Sequence, residues 1–220
     1  MIELKGVRKY YEVGASQIKA VDDVDLTVGP ADFLSIMGHS GSGKSTLLSL
    51  MGGLTRPTFG SVLVDGVDLW SISDADLAAV RNRRIGFVFQ FASLIPTLTA
   101  LENVMLPAAL GAARRNPTDE AASLLSAVGL GDKMQAYPGM LSGGEQRRVA
   151  IARSFINDPA VVLADEPTGD LDKETEAEVF EFFSQMSRRQ VAFVLVTHSS
   201  ELAEKATIRL KMDQGRLSRH

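Results

Sequence analysis

The sequence contains no cysteine among its 220 residues. A disulfide framework, a thiolate metal site and a cysteine nucleophile are therefore excluded. Aromatic residues make up only 6% of the chain, so its core must consist mainly of aliphatic side chains. Because 45% of the residues are hydrophobic, a chain of this length has enough apolar surface for one sizeable core.

Long apolar runs are also lacking. None approaches the roughly 18 residues of a membrane-spanning helix, and the nearest, 105–113, is interrupted by Pro107 and Gly111. The start of the sequence, 1–5, lacks the basic and apolar regions of a signal peptide. A net charge of −4 gives no general attraction to nucleic acid, and no such partner is expected. These features predict a cytoplasmic protein that does not cross a membrane by itself.

A glycine-rich stretch at 38–45 matches the phosphate-loop pattern G-x-x-x-x-G-K-[ST]. Its glycines allow the backbone N–H groups to face a phosphate. An apolar strand is predicted at 33–37 and a helix at 46–51, whose N-terminus adds a partial positive charge. Lys44 is expected to reach the β- and γ-phosphates of a nucleoside triphosphate, and Ser45 to bind Mg²⁺. The other residues expected to contact the nucleotide here are Gly38, Ser40, Gly41, Ser42, Gly43 and Thr46.

Two acidic residues, Asp165 and Glu166, follow the apolar run 161–164. Unpaired carboxylates close to a core are unfavourable, so this arrangement indicates a chemical role. We expect Asp165 to hold Mg²⁺, directly or through its waters, and Glu166 to orient or deprotonate the attacking water. The alternative is a strand that simply leaves the core through an acidic loop.

A second small-residue turn at 141–145 leads into a helix predicted from Glu145 to about Ile156. Together with the phosphate loop, it resembles the signature of the ATP-binding cassette (ABC) family, and the resemblance covers essentially the whole chain. Ser142, Gly143 and Gly144 at a helix N-terminus form a second anion site. Two phosphate-binding surfaces on one chain imply an ATP-dependent head-to-tail homodimer, in which each signature turn closes over the partner's ATP. An ordinary helix cap is the alternative.

The resemblance assigns roles to residues outside these motifs. Gln90 is expected to contact Mg²⁺ or the water, and His198 to contact the γ-phosphate and steady the catalytic glutamate. Tyr11 corresponds to the aromatic residue on which adenine stacks, with Tyr10 as the alternate register. Asp172 corresponds to an aspartate that acts across the dimer. Without the resemblance, Gln90 and His198 are ordinary strand-end residues.

A few positions depart from the family pattern, and none of them supplies a phosphate, metal or water ligand. Ser199 stands where Asp often follows the switch histidine, so the fine adjustment of that loop is in question. The other departures are Ala31, Asp32, Glu145, Arg147 and Asp170.

The order of patterns is strands first, a helical middle, then strands alternating with helices. Strands are predicted at 2–7, 21–27, 61–64, 85–89, 161–164 and 191–196, a capped helix from Pro117 to Gly129, and a terminal hairpin at 211–217. The resemblance implies an α/β P-loop NTPase (RecA-like) fold with a mixed or parallel sheet core, an antiparallel β subdomain and an inserted helical subdomain. One domain is expected over 1–220, with a nucleotide-binding core at 1–90 and 159–220 and the helical subdomain at 91–158.

The stretch 91–104 closely resembles one subgroup, the bacterial lipoprotein-releasing and macrolide-efflux ATPases. Phe91, Leu94, Ile95 and Leu98 either dock a partner or belong to the core of the helical subdomain. The resemblance implies an ATPase subunit at the inner face of the cell membrane that powers a separate permease, with a lipoprotein, macrolide-like or peptide cargo. The alternative is a division-type ATPase that regulates a membrane partner without transport.

Overall fold

Two β-sheets and seven helices make up the part of the chain that the computed structural model describes, residues 1–14, 16–111, 116–169 and 171–219. The strands are β1 Ile2–Val13, β2 Ser16–Val28, β3 Phe33–Met37, β4 Phe59–Val64, β5 Val67–Asp68, β6 Ile85–Val88, β7 Val161–Asp165, β8 Ala192–Val196, β9 Ile208–Asp213 and β10 Arg216–Arg219. The helices are α1 Lys44–Met51, α2 Asp74–Arg84, α3 Ala100–Leu110, α4 Thr118–Ala127, α5 Gly143–Phe155, α6 Lys173–Arg188 and α7 Ser200–Glu204, with a single 3₁₀ turn at Pro138–Met140.

The first sheet is antiparallel, with the strand order β2-β1-β4-β5. The strands predicted at 2–7, 21–27 and 61–64 all lie in it, and each is longer than predicted. β1 and β2 continue beyond the core as a long hairpin, whose register shifts between Leu4 and Tyr10. The antiparallel part of the predicted fold is therefore confirmed.

The second sheet has the order β10-β9-β3-β8-β7-β6, and only β10 is antiparallel to its neighbour. Val196 pairs with Ile36 on one side and with Asp165 on the other, and Val88 pairs with Ala164. The strands β3, β6, β7 and β8 consequently end side by side. The loops that follow them all leave the sheet at the same edge, where ligands bind in open parallel sheets.

Two hydrophobic cores cover the two faces of this sheet. Val162 and Phe193 face one of them, the helix-side core, which includes residues of α3 to α6. Leu163 and Val194 face the other core, which includes residues of α1 and the antiparallel sheet. Because both faces are buried, the central strands are apolar at all positions but Ser35 and Asp165 instead of alternating with polar residues.

The helical middle of the chain contains α3, α4 and α5, which pack against one another. The helix predicted to begin at Pro117 is α4, but its predicted cap is wrong, because Pro117 carries no side-chain acceptor. Asn116 Oδ1 instead accepts hydrogen bonds from the backbone N–H and the hydroxyl of Thr118, at 3.2 and 2.7 Å. Gly129 follows the end of α4 with φ +73°, as expected for a helix-terminating glycine.

The predicted terminal hairpin is formed by β9 and β10. Its two-residue turn, Gln214 and Gly215, has φ values of +45° and +80°, which is the pattern of a type I′ turn. In the described part of the chain, no helix combines the length and the apolar character needed to cross a bilayer.

Candidate functional site

The loop between β3 and α1 packs against backbone on two sides. Gly41 and Gly43 have φ values of +78° and +105°, which favour glycine. A Cβ atom on Gly43 would lie 1.9 Å from the carbonyl oxygen of Ala20, and one on Gly38 would lie 2.2 Å from that of Met212. Gly38 and Gly43 are therefore required by the packing of β9 and β2 against the loop, independently of any ligand.

Lys44, the first residue of α1, crosses this loop with a side chain that is almost wholly buried. Its Nζ donates hydrogen bonds to the carbonyl oxygens of Gly38 and His39, at 2.7 and 2.9 Å. Burial lowers the pKa of Lys44 from its ordinary value, while the charges of Glu166 and Asp165 act in the opposite direction. The structure thus places a desolvated cation inside the predicted phosphate cradle.

The other residues of the loop differ in exposure. His39, Ser40 and Ser45 are exposed, and Thr46 is partly buried in α1. Ser42 is buried, and its Oγ has no hydrogen-bond partner among the described residues. A buried hydroxyl without a partner is rare in a folded protein, and a phosphate oxygen would supply the missing acceptor.

Glu166 combines two unfavourable features directly after β7. Its φ is +47°, a left-handed conformation that costs a residue other than glycine about 1–2 kcal/mol. Its Oε1 is buried without a hydrogen-bond partner in the described part of the chain, and lies 3.4 Å from Nε2 of His198, within ion-pair range only. Strain and an unpaired carboxylate oxygen at one residue indicate a functional role.

Two cavities border the strand ends. One, of about 330 Å³, is lined in part by Ser45, Gln90 and Asp165. The other, of about 450 Å³, is lined in part by Gln90, Glu166 and His198. The structure therefore brings together residues that were predicted to bind metal, to activate water and to contact the γ-phosphate.

The donors around the first cavity fit Mg²⁺. Ser45, Gln90 and Asp165 offer oxygen ligands, which Mg²⁺ prefers, and this ion usually keeps several waters and binds substrate phosphates as well. The described residues contain no cluster of three or more His, Cys, Asp or Glu side chains. A metal at this position is therefore held by few protein ligands, as expected for an ion that shares its coordination with a nucleotide.

Two arginines of α5 hold the Gln90 segment, residues 89–99 between β6 and α3. Arg147 Nη1 donates to the carbonyl oxygen of Phe89 at 2.7 Å. Arg153 Nη1 and Nη2 donate to the carbonyl oxygens of Ser93 and Ala92, at 2.9 and 2.8 Å, and burial lowers the pKa of Arg153. Sequence reasoning assigned these arginines no role in holding this segment.

Asn103 of α3 supports the same segment from its other end and is fully buried. Its Nδ2 donates to the carbonyl oxygens of Ile95, Leu98 and Thr99, at 3.1, 3.0 and 2.9 Å. Its Oδ1 accepts from the Ile95 N–H at 2.8 Å. A capping box between Thr99 and Glu102 begins the helix. Part of the stretch 91–104, which resembles one subgroup, therefore has a structural role: Asn103 holds the segment and the capping box begins α3.

The signature turn is a capped helix start. α5 begins at Gly143, two residues before the predicted start, and Ser142 and Glu145 form a reciprocal capping box with hydrogen bonds of 3.2 and 2.8 Å. Lys133 pairs with Glu145 and, as the largest cause, lowers the pKa of that carboxyl. Glu145, a departure from the family pattern, thus stabilises the turn. Gly143 and Gly144 lie in the first helical turn, where N–H groups have no intrahelical acceptor, so the cap is compatible with the predicted anion site.

Ser199, another departure, is the N-cap of α7, where its Oγ accepts from the Leu202 N–H at 3.2 Å. Asp170 lies outside the described residues. Asp172 is the N-cap of α6 and accepts hydrogen bonds from the N–H and hydroxyl of Thr175, at 2.9 and 2.8 Å. These bonds, the backbone one most, lower the pKa of Asp172.

Outside the phosphate loop, five predicted site residues line neither of the two cavities. These are Tyr11, Ser142, Gly143, Gly144 and Asp172. Tyr11 is 40% exposed on the β1–β2 hairpin, with Lys9 Nζ 5.0 Å from its ring centroid. The hydroxyl of Tyr10 is bonded to Asp22 instead.

Comparisons with known proteins agree with this geometry. The ABC transporter family model matches residues 21–169. The lipoprotein-releasing system ATP-binding protein LolD of Bordetella avium is 47% identical over 95% of this chain and 92% of its own length. The macrolide export ATP-binding/permease protein MacB of Rhodopirellula baltica is 43% identical over 98% of this chain but only 32% of its own length. The ATP-binding cassette MJ0796, solved as a dimer in a post-hydrolysis state with ADP and Pi, has a TM-score of 0.93 and 37% identity, covering 100% of this chain and 98% of that one.

The packing of the phosphate loop predicts different effects at two of its glycines. Gly43→Ala should destabilise the protein by about 3 kcal/mol or more, because it adds a clash with the Ala20 carbonyl to the left-handed backbone strain. Gly41→Ala is the matched control, because a Cβ there meets no atom within 4 Å, and should cost about 1–2 kcal/mol from strain alone. Urea unfolding of the nucleotide-free variants measures both, and equal losses would contradict the packing argument.

Proposed function

Because the chain belongs to the ABC transporter family of ATP-binding proteins, we propose that it is the ATP-hydrolysing subunit of a membrane transporter. The convergence of Lys44, Glu166 and His198 at one edge of the parallel sheet is the observation that carries this proposal. The proposed subunit binds ATP and Mg²⁺, dimerises around two ATP molecules and drives a separate permease. LolD and MacB, named above, are ATP-binding proteins of a lipoprotein-releasing system and of macrolide export, and no observation favours the division-type alternative.

The phosphate loop binds the triphosphate. Lys44 exchanges the carbonyl oxygens of Gly38 and His39 for β- and γ-phosphate oxygens, and charge-assisted hydrogen bonds to an anion are stronger than those to neutral carbonyls. The Ser42 hydroxyl gains an acceptor, and the N-terminus of α1 adds its partial positive charge. The residues that support the loop do not need to move for this exchange.

Ser45, Asp165 and Gln90 hold Mg²⁺ beside the phosphates, directly or through water. When bound, Mg²⁺ neutralises the charge that develops on the phosphate oxygens. Gln90 lines this cavity and the cavity of Glu166 as well, so its side chain is placed to contact both the metal and the attacking water.

Glu166 acts as the general base. It accepts a proton from a water whose oxygen attacks the γ-phosphorus, and the bond to the ADP oxygen breaks, which gives ADP and phosphate. His198 contacts the γ-phosphate and keeps the Glu166 carboxylate in place from its position 3.4 Å away. The left-handed backbone of Glu166 turns the chain directly after β7, and this turn keeps the Glu166 carboxylate at the end of the strand.

Replacing Glu166 by Gln tests this chemistry. The variant should lose about 10²- to 10⁴-fold in ATPase rate, the range for a positioned general base, and should still bind ATP. Glu178→Gln on the exposed side of α6 is the control and should leave the rate unchanged. Phosphate release by the purified variants is the measurement, and near-normal turnover in Glu166→Gln would remove the assignment.

The signature turn supports a dimer. Ser142, Gly143 and Gly144 form an anion-binding helix start and line neither the Glu166 cavity nor the Ser45 cavity of the same subunit. A second copy related by a two-fold axis brings this turn over the nucleotide held by the first. Asp172, at the start of α6, acts across this interface. The solved structure of MJ0796 is dimeric, which supports the same arrangement here.

The oligomeric state should therefore depend on ATP. Glu166→Gln, which retains ATP, should elute as a dimer with ATP and as a monomer with ADP or no nucleotide. Adding Ser142→Arg should abolish the dimer, because it places bulk and charge in the signature turn. Gln185→Arg, at an exposed position of α6, is the matched control. Size-exclusion chromatography with light scattering measures the state, and a dimer indifferent to ATP and to Ser142→Arg would show that the turn is only a cap.

A groove of about 440 Å³ next to the Gln90 segment is the proposed docking site of the permease. Leu54, Phe89 and Leu110 line it and are 46%, 42% and 78% exposed. Phe91, at the same segment, is 76% exposed, whereas Leu94 packs against the helix-side core. Cytoplasmic helices of a permease are the proposed occupant, because these exposed side chains are apolar and MacB, named above, is an ATP-binding/permease protein. Through this contact the subunit lies at the inner face of the membrane.

The proposed division into a nucleotide-binding core, 1–90 and 159–220, and a helical subdomain, 91–158, agrees with this assignment. It is supported by the packing of α3, α4 and α5 against one another. The groove then lies at the boundary of the two parts. The proposed cargo is a lipoprotein, a macrolide-like compound or a peptide, as the names of LolD and MacB suggest.

Aspartate substitutions separate docking from folding. Phe91→Asp and Leu110→Asp should keep the ATPase rate of the isolated subunit within about threefold, since surface substitutions have small effects on folding, but should abolish permease binding. Leu94→Asp should instead destabilise the subunit, because it buries a charge in the helix-side core. Rates and pull-down of the co-expressed permease are measured on the same variants. Unimpaired permease binding in both Phe91→Asp and Leu110→Asp would place the docking surface elsewhere.

A further inference from the structure

The outer half of the β1–β2 hairpin carries Tyr11 but has little packing of its own. None of its described residues from Tyr10 to Ala20 is buried. Segments with few buried contacts open easily, so packing alone does not fix where the ring of Tyr11 lies. Specific hydrogen bonds at the base of the hairpin must therefore hold the Tyr11 ring in position.

Asp22 of β2 supplies such bonds through its side chain, which is largely buried. Its Oδ1 accepts a hydrogen bond from the hydroxyl of Tyr10 at 2.7 Å, and its Oδ2 accepts one from Nη2 of Arg216 at 3.2 Å. The bond from Tyr10 is the largest cause of the lowered pKa of Asp22. One carboxylate therefore connects β1, β2 and β10 next to Tyr11.

The backbone of Asp22 continues this connection toward the phosphate loop. Its N–H donates to the carbonyl oxygen of Gly215 at 2.8 Å, and the N–H of Gly215 donates to the carbonyl oxygen of Ser42 at 3.0 Å. A Cβ atom on Gly215 would lie 2.7 Å from the Lys19 carbonyl oxygen. The β9–β10 turn is thus fitted between the hairpin and the loop, and only glycine fits there.

We propose that Asp22, Tyr10 and Gly215 are positioning residues that set the distance between Tyr11 and the phosphate loop. The proposal rests on the proposed function, in which Tyr11 stacks on adenine while the loop binds the triphosphate. ATP joins the base to the phosphates covalently, so both ends bind well only when the two protein surfaces have the matching separation. Tyr10 therefore acts through Tyr11 and is not the stacking residue.

The test compares ATP with inorganic tripolyphosphate, which has no base. Tyr10→Phe keeps the ring and removes the hydroxyl, and Asp22→Ala removes both side-chain bonds. Each should weaken ATP binding by about two- to tenfold, the effect of losing one or two hydrogen bonds of this kind, with tripolyphosphate affinity and kcat at saturating ATP unchanged. Asp23→Asn is the matched control, because Asp23 is a neighbouring carboxylate that pairs with Arg8. Calorimetry with Mg²⁺ present gives the affinities.

A double-mutant cycle shows whether Tyr10 acts through Tyr11. In the Tyr11→Ala background, Tyr10→Phe should have no further effect on ATP affinity, because there is no stacking ring left to position. An undiminished effect in that background would overturn the proposal, as would a parallel loss of tripolyphosphate binding, which would indicate general disruption. Unchanged ATP affinity in both Tyr10→Phe and Asp22→Ala would overturn it too.

The same measurements separate this proposal from the proposed function. If the unmodified protein fails to bind ATP, or binds it no better than tripolyphosphate, the proposed function itself fails. If Tyr11→Ala lowers ATP affinity while Tyr10→Phe and Asp22→Ala do not, the nucleotide site stands and only the positioning role is lost.

Discussion

The parallel pairing of β3, β8, β7 and β6 is the constraint on which the rest of the site depends. Parallel strands that start on one side must end on the other, so the phosphate loop, Asp165, Glu166, His198 and the Gln90 segment all follow strands that end at one edge. These residues are far apart in the sequence, and no local contact brings them together. The two cores on either face of the sheet fix the strands in place, and thereby fix the chemistry.

The Gln90 segment is held in a different way, through its backbone. Arg147, Arg153 and Asn103 all bond to main-chain groups of the segment rather than to its side chains. This arrangement fixes the path of the chain while leaving the neighbouring side chains free to vary. Because both arginines belong to the helix that begins at the signature turn, a displacement of that helix also moves the segment that lines both cavities.

Much of this molecule was predictable because its motifs are contiguous. The phosphate loop and the β7 carboxylates were predicted from residue type and spacing, and the fold class with its antiparallel and helical subdomains followed from the family resemblance. The arginine bonds, the Asn103 network and the Asp22 connection were not predicted. They join residues 4 to 194 positions apart and, except for the two side-chain bonds of Asp22, each ends on a backbone atom that no residue type marks. The cap at Pro117 was wrong because Asn116 performs that role.

The left-handed backbone of Glu166 places two demands on one position. The fold alone would favour glycine there, which adopts this conformation without strain and has no carboxylate to leave unpaired. The reaction requires the carboxylate. Selection for thermal robustness and selection for turnover therefore act in opposite directions at this residue. A screen of variants for heat resistance alone would tend to enrich inactive proteins at position 166, so laboratory evolution of this chain requires activity to be selected alongside stability.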